Sequence, residues 1–324
     1  MATDFQTLVN RHYQADSWDT VGTVRLFFQP VDHFYHQNLE ALAILTDYLA
    51  EQSRFPVCRM LRNREGQLGT EINGSLCVLM TLPQTSNQEG WPLGKALAEL
   101  HLLTTGVDGQ SFPEGTVYQR TEGLTASIDQ LGTKYNEIGS RSPKNSFERR
   151  FRQTFPYFSG CAENAIQYMV DGSLKYPRSE PLAISHYRFA GFSSLFPENP
   201  ATWVASDRSR DLAEWLRLLA WTREKEEMLF SANQFLNEYE ERYPLSEQAA
   251  ASMFGRLLFP LSYVECCERY LAGESAQDHA LLEDVLLTNE NRTENTQQLL
   301  SYLGVRYPEL EIPEWLLGAR AEAF

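Results

Sequence analysis

The pattern of this chain changes at Pro83. Before it, short apolar segments alternate with turn signals. Leu76 to Leu82 is a continuous apolar run that stops at the proline, and the stretch RNREGQLGTEINGS ahead of it carries Glu65-Gly66 and Asn73-Gly74. An Asn-Gly between two β-prone runs is the sequence form of a tight hairpin. Residues 20–31 read as extended, with Val24, Leu26 and Phe28 on one face, and Val57 to Leu61 as a further strand. Between them, Asn38 to Glu51 repeats apolar residues (Leu39, Leu42, Ile44, Leu45, Leu49) at near-helical spacing.

After Pro83, a polar connector, Gln84 to Gly90, leads into a chain that is mainly helical. Pro92 to Leu103 places Leu93, Leu97, Leu100 and Leu103 on one face behind a first-turn proline. Residues 122–137, 146–171, 207–220, 223–242, 246–271, 276–289 and 294–303 read as further helices. Pro177 to Ser206 is broken, with little periodicity, and PELEIPEWL is a proline-punctuated tail. The expected fold is α+β, with a small β-rich part over residues 1–83 and a large helical part over 84–324. Strand, helix, strand, hairpin, connector, then helices is the layout of a two-lobed protein-kinase-like fold.

The 324 residues carry 28 basic and 43 acidic side chains, a formal charge of −15. So acidic a surface repels phosphate backbones and anionic lipid, which argues against nucleic acid as a partner. No segment has the ~20 apolar residues of a membrane span, and MATDFQTLVNRHYQ has no apolar core of a secretory signal, so synthesis in the cytoplasm is expected. Cys58, Cys77, Cys161, Cys266 and Cys267 form no CxxC pair. Reduced, mostly buried thiols are expected, with no metal site. His33 and His36 flank Phe34 and Tyr35 beside Asp32, but no third ligand is evident, so a structured turn is the reading. No GxSxG elbow occurs. In the acidic stretch 223–243, Leu229, Phe230, Phe235 and Leu236 read as a packed face opposite a solvated one, with a partner groove as the alternative.

Two segments carry a family resemblance. LGKALAELH (93–101) resembles the first C-lobe helix of aminoglycoside-phosphotransferase-like kinases, and SRDLAEWLR (209–217) resembles the stretch after their metal-binding aspartate. FRQTFPYFSGCAENAIQYMVD (151–171) and ISHYRF (184–189) carry a closer similarity, to the YutH-type spore coat-associated proteins of endospore-forming bacteria. The resemblance runs over nearly the whole chain. It implies a kinase-like fold, a place in the endospore coat and other coat proteins as partners.

Phosphoryl transfer needs a phosphate-binding lysine, an aspartate that orients the acceptor hydroxyl, and magnesium-holding side chains. Mapped through the resemblance, the lysine falls near Gln29, a neutral amide. The first 94 residues contain no lysine at all. Arg25 is the nearest cation on that segment, and arginine is not equivalent to lysine there. Glu40 is the remnant of the lysine's helix partner or an ordinary solvated carboxylate. The superfamily's His-Gly-Asp becomes His186-Tyr187-Arg188, with Ser193 where an asparagine is expected. Arginine can neither accept a proton nor bind magnesium. His186 reads as a structural residue bonded inside its loop. Asp207 is the surviving metal aspartate or, the reading preferred, the cap of the next helix. Asp211 matches the family's structural aspartate. Gly22 is the only glycine ahead of Val24, so no glycine-rich loop is present. The resulting expectation is a pseudokinase with no catalytic residue, no cofactor and no bound ATP. An active phosphotransferase with a rearranged site is the alternative.

Overall fold

The structure is a computed structural model that describes residues 5–13, 25–52, 56–82, 92–112, 117–176, 180–192, 198–273 and 279–313. The connector 84–90, Gly22, Val24 and Ser193 lie outside these residues. The chain divides into two compact units. The first comprises residues 1–114, 181–208 and 238–243, and the second 115–180, 209–237 and 244–324. Helix α3 and the strands of the stretch 177–206 thus group with the N-terminal sheet, although both lie beyond Pro83.

The first unit opens with helix α1 (Phe5–His12), then strand β1 (Arg25–Pro30), a 3-10 turn (Val31–His33), helix α2 (Leu39–Gln52) and strands β2 (Met60–Leu61), β3 (Gly69–Ile72) and β4 (Ser75–Leu82). All three other strands pair antiparallel with β4, β1 on one side and both β2 and β3 on the other. Asn73 and Gly74 have φ of 51° and 84° and join β3 to β4, with Ile72 opposite Ser75. Both left-handed positions are required by a two-residue hairpin turn whose twist matches its strands. The Val57 end of the expected second strand forms only an isolated bridge, to Glu198.

Alternation along β1 divides two cores. Leu26 and Phe28 face α1, packing on Val9 and Tyr13, while Phe27 packs on the main core. That core joins Leu42 and Leu49 of α2, Val78 and Met80 of β4, Leu100 of helix α3 (Leu93–Thr104), and Ile184 and Trp203. Ile44, placed on the buried stripe of α2 by its spacing, is instead 69% exposed, and Ala43 and Thr46 complete the buried face.

Ile184 and Trp203 belong to an antiparallel pair, β5 (Leu182–His186) and β6 (Trp203–Asp207), with His186 opposite Trp203 and Leu182 opposite Asp207. The expected broken stretch therefore contains a hairpin. All five β6 residues and four of the five β5 residues are buried. A strand covered on both faces shows no polar alternation to find. The end of α3 anchors it. Thr104 Oγ1 accepts from Ile184 N at 3.0 Å, and Gly106 N donates to Leu182 O at 2.8 Å.

The second unit is helical. It contains α4 (Val117–Gly139), α5 (Ser146–Lys175), α6 (Ser209–Thr222), most of α7 (Lys225–Glu240), α8 (Glu247–Leu258), α9 (Leu261–Leu271), α10 (His279–Asn291) and α11 (Thr293–Arg306). Residues 246–271, expected as one helix, are two. Pro260 has no N–H to continue the ladder, and Phe259 ahead of it is extended at ψ 125°. In α7, Met228, Ala232, Phe235 and Leu236 are buried at helical spacing, whereas Phe230 is 69% exposed.

Candidate functional site

The residues singled out from the sequence fall mainly in the first unit, on β1, α2 and the loop between β5 and β6. His186 closes β5. Its Nε2 lies 2.7 Å from Glu198 Oε2, and both side chains are nearly buried. Trp203, opposite His186 in the ladder, donates its indole N–H to the same carboxylate oxygen at 3.2 Å. Phe189 and Phe192 pack on the imidazole at 5.0 and 5.9 Å between ring centres. The His186 ring is thus hydrogen-bonded and packed within its own loop.

Glu198 had no sequence signal. It follows His186 by twelve residues in a stretch without periodicity, and only the general need of a buried His and Trp for polar partners pointed to such a group. Its backbone does a second job. Glu198 N donates to Pro56 O at 2.8 Å, and Cys58 N donates to Glu198 O at 2.9 Å, so the loop is stitched to the segment that enters β2. Burial, with the nearby Glu198 charge adding to it, pushes the Cys58 thiol up to about 12. That thiol is neutral and unreactive at neutral pH.

Gln29 is joined to the same loop. Its Nε2 donates to His33 Nδ1 at 3.2 Å, and its Oε1 accepts from Asn199 Nδ2 at 3.4 Å. Asn199 in turn accepts from Ala201 N at 3.0 Å and caps the 3-10 turn Pro200–Thr202. Gln29 and His186 are therefore linked through the consecutive residues Asn199 and Glu198. Asn199 is another participant that spacing did not reveal.

Arg188 is exposed. Its guanidinium lies over the Tyr187 ring at 4.7 Å, and its Nη1 donates to Tyr187 O at 2.8 Å. Tyr187 and Tyr35 are each 47% exposed, with ring centres 5.8 Å apart. A cation stacked on one of two neighbouring exposed aromatic rings occupies the start of this loop.

The other candidates are separately engaged. Glu40 on α2 receives Arg62 at both carboxylate oxygens, at 3.0 and 2.5 Å. The Arg62 hydrogen bonds hold its carboxyl below the usual range. This pair is about half exposed and contributes little net stability. Asp207 is buried as the last residue of β6. Helix α6 begins two residues later, at Ser209, with Arg208 between them. Arg208 is itself buried, its guanidinium 3.9 Å from the Tyr243 ring centre. Asp211 lies fully buried in the first turn of α6. His33 and His36 do not form a pair. His33 bonds Gln29, whereas His36 is buried and its Nε2 accepts from Ala205 N at 2.9 Å. Among the described residues no group of three or more His, Cys, Asp and Glu side chains is placed to hold a metal ion, and no helix is long and apolar enough to cross a membrane.

Comparison with known proteins gives this geometry a family. An aminoglycoside phosphotransferase from Alicyclobacillus acidocaldarius subsp. acidocaldarius DSM 446 superposes with a TM-score of 0.68 at 12% identity, covering 96% of this chain and 98% of that one. The spectinomycin phosphotransferase APH(9)-Ia, solved with ADP and spectinomycin, gives 0.51 at 13% identity over 97% and 96%. These likenesses establish the kinase-like α+β fold, with an N-terminal β-sheet lobe and a large helical lobe. In sequence, the endospore coat-associated protein YutH of Bacillus subtilis (strain 168) is 31% identical over 300 residues, 89% of this chain and 87% of that protein. The family model described as "Spore coat putative kinase YutH" matches residues 4–303, and the chain belongs to that family.

Proposed function

We propose that this protein is a pseudokinase of the endospore coat, a kinase-like fold that binds other coat proteins and transfers no phosphate. The coat assignment draws on the family and on the name of the Bacillus subtilis relative. The observation that carries the loss of transfer is the charge at two positions. Arg188 stands in place of a proton-accepting aspartate, stacked on Tyr187. Gln29 stands in place of a lysine, its amide engaged by His33 and Asn199. A cation cannot orient an acceptor hydroxyl by accepting its proton, and a neutral amide supplies no charge to a triphosphate. The Tyr35–Tyr187–Arg188 cluster is the kind of exposed aromatic and arginine surface that protein interfaces favour.

Thermal denaturation with and without magnesium ATP tests the reading. A ligand at a hundred times its dissociation constant stabilises by about 2.7 kcal/mol. No shift and no phosphate release are expected. The competing reading, a phosphotransferase with a rearranged site, rests on Asp207 surviving at the end of a buried strand. A clear shift with turnover that vanishes in Asp207→Ala would establish it instead. A fluorescent fusion followed through sporulation tests the location. Signal that never gathers at the forespore surface would remove the coat assignment.

A further inference from the structure

The helical unit contains a cavity at the break between α8 and α9, walled by α5, α6 and the start of α11. Its floor is apolar and aromatic, with Phe158, Trp221, Leu258 and Leu300 among the lining residues. Its volume is about 70 Å³ counted as room for water centres. At roughly 10–15 Å³ per water this is space for about five waters, or for one six-membered ring with a small substituent.

The charge of the lining is the informative feature. The chain has 43 acidic residues, yet among the described residues none lines this cavity, while Arg217 and Arg292 both do. Tyr157 and Cys161 add no negative charge, because burial pushes the phenol up to about 12 and raises the thiol. The two arginines differ in how they are used. Arg217 is held by Glu214 at 2.6 Å and by the carbonyl of Arg256, all within the fold. Arg292 makes its bonds through Nη1 alone, to Arg223 O at 3.3 Å and Glu224 at 3.1 Å. The Glu224 side chain is 81% exposed, so that ion pair is weak and readily replaced. Nη2 and Nε of Arg292 remain, side by side, in the geometry that takes a carboxylate at two points.

We infer that this cavity is a binding site for a small aromatic carboxylate, its ring among Phe158, Trp221, Leu258 and Leu300 and its carboxylate on Arg292. The site lies within the helical unit and owes nothing to the loop that bears Arg188. It operates whether or not the protein transfers phosphate.

The test is titration of the full chain with benzoate and with its neutral isostere benzamide, read by tryptophan fluorescence and by thermal shift. Benzoate is expected to saturate and to bind about tenfold tighter than benzamide, the worth of one charge-assisted hydrogen bond. Arg292→Gln should erase that preference while leaving the fold intact by circular dichroism. Thr296→Phe, which fills the space from α11, should remove binding of both compounds. Equal binding of benzoate and benzamide, a preference that persists in Arg292→Gln, or no saturation by benzoate up to its solubility would each overturn the inference. Binding by neutral apolar compounds alone would also overturn it, marking the cavity as a seat for a partner's side chain.

Discussion

The Nε2 of His186 and the carboxylate of Glu198 meet at 2.7 Å with both side chains nearly buried, and the same oxygen receives the indole N–H of Trp203. One carboxylate thus fixes the last residue of β5 and the first of β6. Its backbone fixes the loop to the segment ahead of β2.

Removing that carboxylate takes one hydrogen bond from each of two buried side chains. Glu198→Ala should cost about 3 kcal/mol, the upper range for leaving a buried hydrogen-bonding group unsatisfied. Glu198→Gln, which can still accept the indole N–H, should cost less. Equilibrium denaturation in urea measures both. A Glu198→Ala protein as stable as the parent would mean that the pair contributes nothing to the fold.

Arg188 should behave in the opposite way. It is exposed and rests on Tyr187, so Arg188→Ala should change stability by no more than about 0.5 kcal/mol. If the surface it shares with Tyr187 and Tyr35 contacts coat proteins, Arg188→Ala and Tyr187→Ala should both reduce coat incorporation, scored by fluorescence of tagged protein on purified spores. Full incorporation of the double variant would move the interaction surface elsewhere.

The start of α5 sets an acid dependence. Glu148 is 4% exposed and accepts from both terminal nitrogens of Arg141, at 2.6 and 2.7 Å, and from Lys144 N at 2.6 Å. Hydrogen bonding to Arg141 is the largest of the effects that hold its carboxyl below the usual range. A carboxyl lowered by folding contributes stability that is complete above its unfolded pKa, about 4.3. That contribution is lost as pH falls through the lower folded value. Stability should therefore decline below about pH 4, and Glu148→Gln should flatten the decline while costing about 2 kcal/mol at pH 7. Denaturation midpoints from pH 3 to pH 7 would show it, and an unchanged acid slope in Glu148→Gln would contradict it.

Gly255 in α8 has a packing role. A Cβ placed there would lie 2.7 Å from Cγ of Met169 on α5 and 3.3 Å from the Tyr168 ring. Gly255→Ala should gain helix propensity yet lose about 1–3 kcal/mol to overpacking. Pairing it with Met169→Ala should recover part of the loss, because the smaller side chain makes room. A thermal midpoint raised by Gly255→Ala alone would show that α5 and α8 can separate without cost.

Elements ruled by local chemistry were readable in the sequence. Asn73-Gly74 dictated a hairpin because few other pairs adopt two left-handed conformations, and α2 and α3 declared themselves by spacing. The identities of Gln29 and Arg188, and the absence of lysine before position 95, were also plain. Elements ruled by burial were not readable. β5 and β6 are covered on both faces and show no alternation, and Ile44 fits the stripe of α2 numerically but faces solvent. The break at Pro260 was a local signal outweighed by apolar periodicity on either side.

The order of residues sets which chemistries are at hand: the charge of each candidate position, the turn residues and the helical stripes, all encoded within a few residues of chain. Folding sets which of them meet. His186 with Glu198, Gln29 with Asn199 and Glu40 with Arg62 are pairings across 12, 170 and 22 residues. No local spacing encodes such contacts, because they form only when buried backbone and packed side chains bring distant segments within hydrogen-bond reach.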